Sequence, residues 1–496
     1  MPEARSTHRA LTVFALVMAM AMAALEATVV ATAMPTVIGD LGGIHSYAWI
    51  TNAYLVASSV TVPIYGKLSD IYGRKPILLF GIALFLIGSA ASGAAQSMTQ
   101  LILFRAIQGL GAGSMQPMAL TIVGDIFNLE ERAKMQGVFG ASWGFFGLTG
   151  PMLGGLIVKH FGWRFVFYVN LPFGLIAAAV VFFALHERIE KRKHQLDYLG
   201  AALLTAGVVA LLVAASRPSL PITVGSGLVA AVLIAVFIVV ERRAPEPVLP
   251  LALFTRRVIL ISSLAGAIIG GAMIATLTYV PLFVQGALRG SPTDAAGAIT
   301  PMVVGWPLAS ALSGRLIPKV GFRPLILLGL FITSAAGLSL ALFGERHGVR
   351  GLQITTAVFG VGMGFTNTAL LIAVQTSVTW EQRGIATAST MFFRTIGGAL
   401  AVGVMGGVLN AALLSDPSIP PDAANQILSR EGARALDPAL LERLGAVLSL
   451  GLERVFWIIA GMALTAFAAS FWFPKILTQQ EKAAAEIAAG SSEAEG

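Results

Sequence analysis

Cysteine is absent from the 496 residues, which excludes a disulfide framework and any thiolate metal site. Histidine is scarce, with six in all. His186 and His194, eight apart in a basic stretch, lack metal-ligand spacing, so no metal is expected. The chain has no serine-centred elbow and no phosphate-binding lysine loop. Its "GLGAG" at 109–113 follows no strand and lacks the third glycine of a dinucleotide fingerprint. With no catalytic cluster in view, an enzyme is not expected. Charge is sparse too: 12% of residues are charged, against about a quarter in a soluble domain. No segment alternates apolar and polar residues over about ten positions, the pattern of a membrane barrel strand.

What the chain has is hydrocarbon. Apolar residues make up 56% of it, with a mean hydropathy of +0.81, more than a domain of this size can hide inside itself. Fourteen apolar runs are long enough to cross a bilayer core of about 30 Å as helices. They lie at about 11–37, 48–66, 77–95, 100–123, 135–158, 165–185 and 199–215, then 223–241, 258–284, 297–317, 325–343, 351–374, 385–409 and 452–473. The first run is read as a span and not as a cleaved signal. The net charge of +8 raises the question of nucleic acid, and position answers it. With the N-terminus inside, about 21 of the 33 Lys and Arg fall in cytoplasmic segments, about 9 outside, and Arg105, Arg394 and Arg454 in or at the edge of spans. That is a positive-inside bias; no nucleic-acid partner is expected, and both termini are expected in the cytoplasm of a cell-membrane protein.

A polar turn, "GKLSDIYGRKP" at 66–76, recurs as "GRLIPKVGFRP" at 314–324, with six of eleven positions alike and an offset of 248. The copies sit between spans 2 and 3 and between spans 10 and 11, an offset of eight spans. Two bundles of six with two helices inserted between them give that offset and keep both turns on one side. The expected organisation is therefore 1–185 as an N-terminal bundle, 186–257 as the two inserted helices with linkers, 258–473 as a C-terminal bundle, and 474–496 as a cytoplasmic tail. The segment 410–451 is the long polar stretch outside; its "DPALLERLGAVLSLGLERVF" has helical spacing and either extends span 14 or lies on the outer surface.

Glu26 is the acid in the middle of a span. An isolated carboxylate there needs to be neutralised, paired or wet, so a functional role is the default reading, a structural hydrogen bond or snorkelling the alternative. Arg105 in span 4 is followed on much the same face by Gln108, Ala112 and Gln116. In the first turn, Gly66 suits close helix approach, Gly73 a left-handed bend, and Arg74 a pair with Asp70 or Asp125. "GLTGPMLGG" packs Gly147, Gly150, Pro151, Gly154 and Gly155 into span 5, suited to close packing and bending. Arg394 sits deep in span 13 and needs a partner or a wet cavity.

Together, "LEATVVATAMP", "GKLSDIYGRKP", "LFRAIQGLGAGSMQP", "GLTGPMLGGLI" and "WRFVFYVNLP" resemble the major facilitator superfamily, over about 11–473, and within it the fourteen-helix drug:proton antiporter branch, the EmrB/QacA type. The resemblance implies an all-α major facilitator fold of 14 transmembrane helices as 6 + 2 + 6. It implies proton coupling by Glu26, where the family usually has Asp, and by Arg105. It implies a conformational latch at Gly66, Asp70, Gly73, Arg74 and Asp125, lost in the second copy, which has Pro318 and Phe322 in place of Asp70 and Arg74. The span 5 run matches the family's antiporter signature.

The expected function is export of lipophilic or cationic drugs by alternating access, driven by the proton gradient without a resident cofactor, in a monomer surrounded by lipid. Gln108, Met115, Gln116, Met118, Trp143, Met363, Asn367, Met391, Phe393 and Arg394 are the candidate cavity residues, soft and aromatic groups suiting varied cargo as well as helix packing. An exporter of one lipid or self-made metabolite is the rival within transport, and a membrane sensor the rival from another class.

Overall fold

The computed structural model describes residues 7–127, 129–187, 197–215, 219–245, 247–343, 346, 348–379, 382–415, 419–420 and 437–474; the tail from 475 lies outside the described residues. Among them, fourteen long helices follow the fourteen apolar runs. They are α1 (Arg9–Leu41), α2 (Tyr47–Tyr72), α3 (Arg74–Ala94), α4 (Met98–Ile126), α5 (Leu129–Phe161), α6 (Phe165–Ala184) and α7 (Tyr198–Ala215). The chain continues with α8 (Leu220–Glu241), α9 (Arg257–Leu282), α10 (Pro292–Val320), α11 (Phe322–Phe343), α12 (Gly348–Thr376), α13 (Arg383–Leu413) and α14 (Pro438–Ser470). Eleven are long and apolar enough to cross a membrane by length and composition. The three that fall short are α2, α4 and α5, which carry the polar turn, Arg105 and the glycine run. The amphipathic stretch from 438 does extend the last span, as one continuous helix of 33 residues; 421–436 lies outside the described residues.

The packing repeats. Among the first six helices, α4 lies against α2 and α3, α5 and α6 against α1, and α6 against α3. Adding eight to each number gives contacts equally present among the last six: α12 on α10 and α11, α13 and α14 on α9, and α14 on α11. The two sets meet through α2 with α13 and α5 with α10, a pair of seams that the same offset exchanges. α7 packs beside α2 and α13, with Leu204, Val208 and Leu212 in one apolar cluster with Val56, Val60, Ile396 and Ala399. α8 turns most of its Val and Leu outward, the distribution of a helix facing lipid.

Backbone contact fixes this repeat more closely than side chains do. A Cβ on Gly109 would stand 2.4 Å from the Tyr54 carbonyl oxygen, and one on Gly360 2.2 Å from that of Met302. Gly113 and Gly364 stand likewise 2.6 and 2.4 Å from the carbonyls of Ser58 and Trp306. Between them, Gly111 and Gly362 would meet the carbonyls of Gly81 and Gly329 at 2.5 and 2.6 Å. Tyr54 and Met302, Ser58 and Trp306, and Gly81 and Gly329 are all 248 apart, the offset of the polar turn. "GLGAG" at 109–113 thus has a counterpart in "GVGMG" at 360–364, and both let the fourth helix of a set touch the second and third at the backbone.

The turns behave alike as well. Gly73 (φ +95°) separates α2 from α3 and Gly321 (φ +81°) separates α10 from α11, a backbone region that side chains avoid. Gly66 differs from its expected role: nothing lies within 4 Å of a Cβ placed there, so it makes no close helix approach. These contacts give a graded expectation. Gly111→Val lowers stability by about 3 kcal/mol or more, because backbone atoms of Gly81 and Phe85 and not flexible side chains stand in the way, whereas Gly66→Ala changes it by less than about 0.5 kcal/mol or raises it slightly. Thermal unfolding of the detergent-purified variants checks this; similar melting temperatures for the two contradict the packing.

Candidate functional site

Glu26 is 2% exposed and Arg105 3% exposed, and the two side chains form an ion pair, Arg105 Nη1 to Glu26 Oε1. The sequence leaves a direct pair between them open; the fold makes that contact and adds to it. Gln108 Nε2 and Asn170 Nδ2 donate to Glu26 Oε2 at 2.7 and 2.9 Å. Ser89 Oγ accepts from the same two amides at 3.2 and 3.1 Å and donates to the Phe167 carbonyl at 2.8 Å. Arg105 also donates to Gln108 Oε1 at 2.7 Å and to the Ile50 carbonyl at 3.3 Å, with its guanidinium 4.4 Å from the centre of the Tyr54 ring. One charge pair therefore joins α1, α2, α3, α4 and α6. Every donor aimed at Glu26 suits the ionised carboxylate, and charge-assisted bonds in a dry site are strong.

Gln108 was a candidate for the cavity; it is instead fully buried in this cluster. Ser89 and Asn170 were not singled out from the sequence. The available signal was a small or amide side chain set in otherwise apolar helices, in "LIGSAAS" and "YVNLP".

The glycine run of α5 reaches two neighbours. Cβ atoms on Gly150 and Gly154 would stand 1.9 and 2.3 Å from the hydroxyls of Thr28 and Thr32, two and six residues beyond Glu26 on α1. On the other face, Gly147 and Gly155 lie against Val303 and Ala296 of α10, at 2.8 and 3.1 Å by the same measure. Pro151 sits inside the helix between them. α1 and α10 thus both grip α5 through positions where a side chain has no room.

Call the near end of the bundle the one that carries the start of α1 and the Gly73 turn. At the far end the two sets of helices are joined by Asn410 Nδ2 donating to the His45 carbonyl at 2.8 Å, Gln285 Nε2 donating to the Thr32 carbonyl at 3.2 Å, and Tyr47 donating to the Thr278 carbonyl. In the near half, an open cavity of about 150 Å³ is lined by Ser262, Trp306, Asn367, Thr390, Met391 and Arg394, among others. Asn367, Met391 and Arg394 were expected there. Met115, Met118 and Met363 are not among the lining residues; they are at most 1% exposed and fill gaps between helices. Phe393 packs edge-on against Phe254, 5.2 Å between ring centres, beside α2 and α7. Gln116 is half-buried on α4. The side chain of Trp143 lies outside the described residues, as does that of Asp70.

At the polar turn, Arg74 pairs with Asp125 at 2.6 Å, which ties the start of α3 to the end of α4. Glu187, read in the sequence only as part of a basic loop, caps α3. Its two oxygens accept from the backbone N–H groups of Arg74 and Lys75 at 2.8 and 3.0 Å, a carboxylate on the positive end of a helix dipole. Lys75 reaches the carbonyls of Phe182 and Leu185 at 2.7 and 2.8 Å. Arg323, its counterpart, reaches that of Phe471 at 2.8 Å. The second turn thus keeps the bend and the cation that binds the end of the sixth helix of its set.

The helices pack in two matched sets, with a cavity beside their seams and a saturated charge pair in one set; the family and the relatives that the chain matches are those of membrane transporters and not of enzymes. Residues 16–402 match the family described as the Major Facilitator Superfamily, to which the chain belongs. It is 38% identical over 427 residues to the multidrug transporter protein MdtP of Bacillus subtilis, covering 84% of this chain and 79% of that one. It is 37% identical over 403 residues to multidrug resistance protein 3 of the same organism, covering 80% and 78%. Among solved structures, a bacterial homologue of the human lysosomal transporter Spinster superposes with a TM-score of 0.66 at 15% identity, covering 94% of this chain and 97% of that one. A D-xylose–proton symporter does so with a TM-score of 0.64 at 14% identity, covering 95% and 99%. At such identities these two speak for the fold.

The pair makes a stability prediction. Arg105→Gln strands a buried carboxylate and costs about 3–5 kcal/mol, while adding Glu26→Gln to it recovers much of the loss. Melting temperatures of the two single variants and the double variant test this; additive losses contradict direct pairing.

Proposed function

We propose that the chain is a secondary active exporter of lipophilic drugs, exchanging cargo for protons by alternating access in the cell membrane, and that it belongs to the fourteen-helix branch with a 6 + 2 + 6 arrangement. The near end is cytoplasmic in this reading, in keeping with the positive-inside bias of the loops. The observation that carries it is the sealed Glu26–Arg105 pair, held on the same helix whose Thr28 and Thr32 are gripped by α5, which in turn meets α10 at the seam. Protonating Glu26 removes the anion from Arg105, and the guanidinium falls back on the Ile50 carbonyl, Gln108 and the Tyr54 ring. That exchange changes what α1 is tied to. The glycine contacts pass a shift of α1 to the α5–α10 seam through short side chains, Thr28 and Thr32 on one face and Val303 and Ala296 on the other. Asp70, Arg74 and Asp125 act as the latch at the near end.

Relatives named for multidrug transport and resistance support drugs as the cargo. No acid lines the described cavity, so lipophilicity and not cationic charge carries this proposal. A proton entering through about 150 mV releases about 3.5 kcal/mol, enough for a gradient of roughly 300-fold in an uncharged solute.

The test is uptake of a panel of lipophilic dyes into everted vesicles under an imposed pH step. Glu26→Gln is expected to abolish pH-driven uptake while the protein remains folded. Full uptake in that variant removes Glu26 from the mechanism.

A further inference from the structure

Arg394 brings a cation into the cavity that no described residue near it neutralises. The lining comes from α9, α10, α12 and α13. The sequences of α9, α12 and α13 contain no Asp or Glu at all. Asp294, the acid of α10, is engaged in the capping box at the far end, where Ser291 holds it through its backbone N–H at 2.8 Å and its hydroxyl at 2.7 Å. Among the described residues, Arg394 takes part in no ion pair and no hydrogen bond. Its stem lies over Gly270, where a Cβ would stand 2.4 Å from Arg394 Cγ, so the fold has left room for it.

Two further donors in the same cavity are idle. Ser262 Oγ, on a residue that is 0% exposed, has no partner, and neither does Asn367 Nδ2. The remaining surface is largely apolar, with Trp306, Leu370, Leu371 and Met391. A guanidinium, an amide and a hydroxyl with unspent protons, set beside an aromatic and aliphatic wall, match one kind of ligand. It has a carboxylate or sulfonate for the polar end and a ring or chain for the rest.

We propose that this cavity binds lipophilic organic anions, with the acid group on the Arg394 fork, Ser262 and Asn367 donating to it, and Trp306 and Met391 holding the apolar body. This rests on the transporter reading above and gives that reading its substrate class. It also has an energetic consequence. Exporting a monoanion against one incoming proton moves two charges down the membrane potential per cycle, where a neutral cargo moves one and a monovalent cation none.

The experiment compares three ligands of nearly equal size, 1-naphthoate, 1-naphthylmethanol and 1-naphthylmethylammonium, on the full-length protein in detergent, by calorimetry at neutral pH. Naphthoate is expected to bind at least about tenfold tighter than either of the others. Arg394→Gln abolishes that preference, Arg394→Lys keeps part of it, and Ser262→Ala, which alters no charge, weakens naphthoate alone by about threefold or more. Equal binding of the three, tighter binding of the ammonium compound, a preference that survives Arg394→Gln, or no naphthoate binding up to about 1 mM overturns the proposal. Binding is read without a proton gradient. A naphthoate preference alongside failed pH-driven uptake therefore refutes proton coupling and leaves this site standing, and the reverse result does the opposite.

Discussion

A carboxylate and a guanidinium taken out of water hold one another in place, and much of the first six helices is arranged around that fact. Separating such a pair, or removing one member, leaves a lone charge in a low-dielectric interior, at a cost of several kcal/mol. The protein meets that constraint with amides from Gln108 and Asn170, a hydroxyl from Ser89, and a fallback for Arg105 in Ile50, Gln108 and Tyr54. These further partners, engaged together with the ion pair, are what the proposed proton exchange at Glu26 needs, because they hold Arg105 when the acid is neutral.

Around this pair stands a scaffold made twice. The offset of 248 joins the polar turns, the carbonyls that α4 and α12 press against, and the cations that bind the ends of α6 and α14. The duplication is of backbone geometry more than of chemistry: Glu26 and Arg105 belong to one set, the cavity with Arg394 to the other. The buried acid and the cation that faces the cavity thus sit on opposite sides of seams that contain glycine. At these seams glycine meets short side chains, Val303, Ala296 and Ala48 among them, which leaves little slack between the helices.

Much of this was legible in the sequence, for identifiable reasons. Fourteen helices follow from fourteen apolar runs because lipid leaves the backbone no other way to satisfy itself. Glu26 stood out because an acid in mid-span is so unfavourable that it needs a purpose. Gly73 declared its turn by position and type. The losses have causes too. Met115, Met118 and Met363 suit a cavity or a helix contact equally well, and identity alone does not say which face they take. Gln108 looked like lining because its partner Glu26 lies 82 positions earlier, at a separation that no periodicity reveals. Glu187 was hidden in a basic cluster, and its role depends on a helix start more than a hundred positions earlier. "GVGMG" escaped notice because its meaning lies in what it touches, and because its offset of 251 differs by three from that of the turns.

The central claim is that Glu26 gives up a proton as cargo is taken. Proton release can be read directly, by adding a transported substrate to the purified protein in weakly buffered detergent and following pH with an indicator dye. The account predicts release approaching one proton per chain, saturating with the same substrate dependence as binding, and absent from Glu26→Gln. Binding without release, or equal release from the variant, contradicts it.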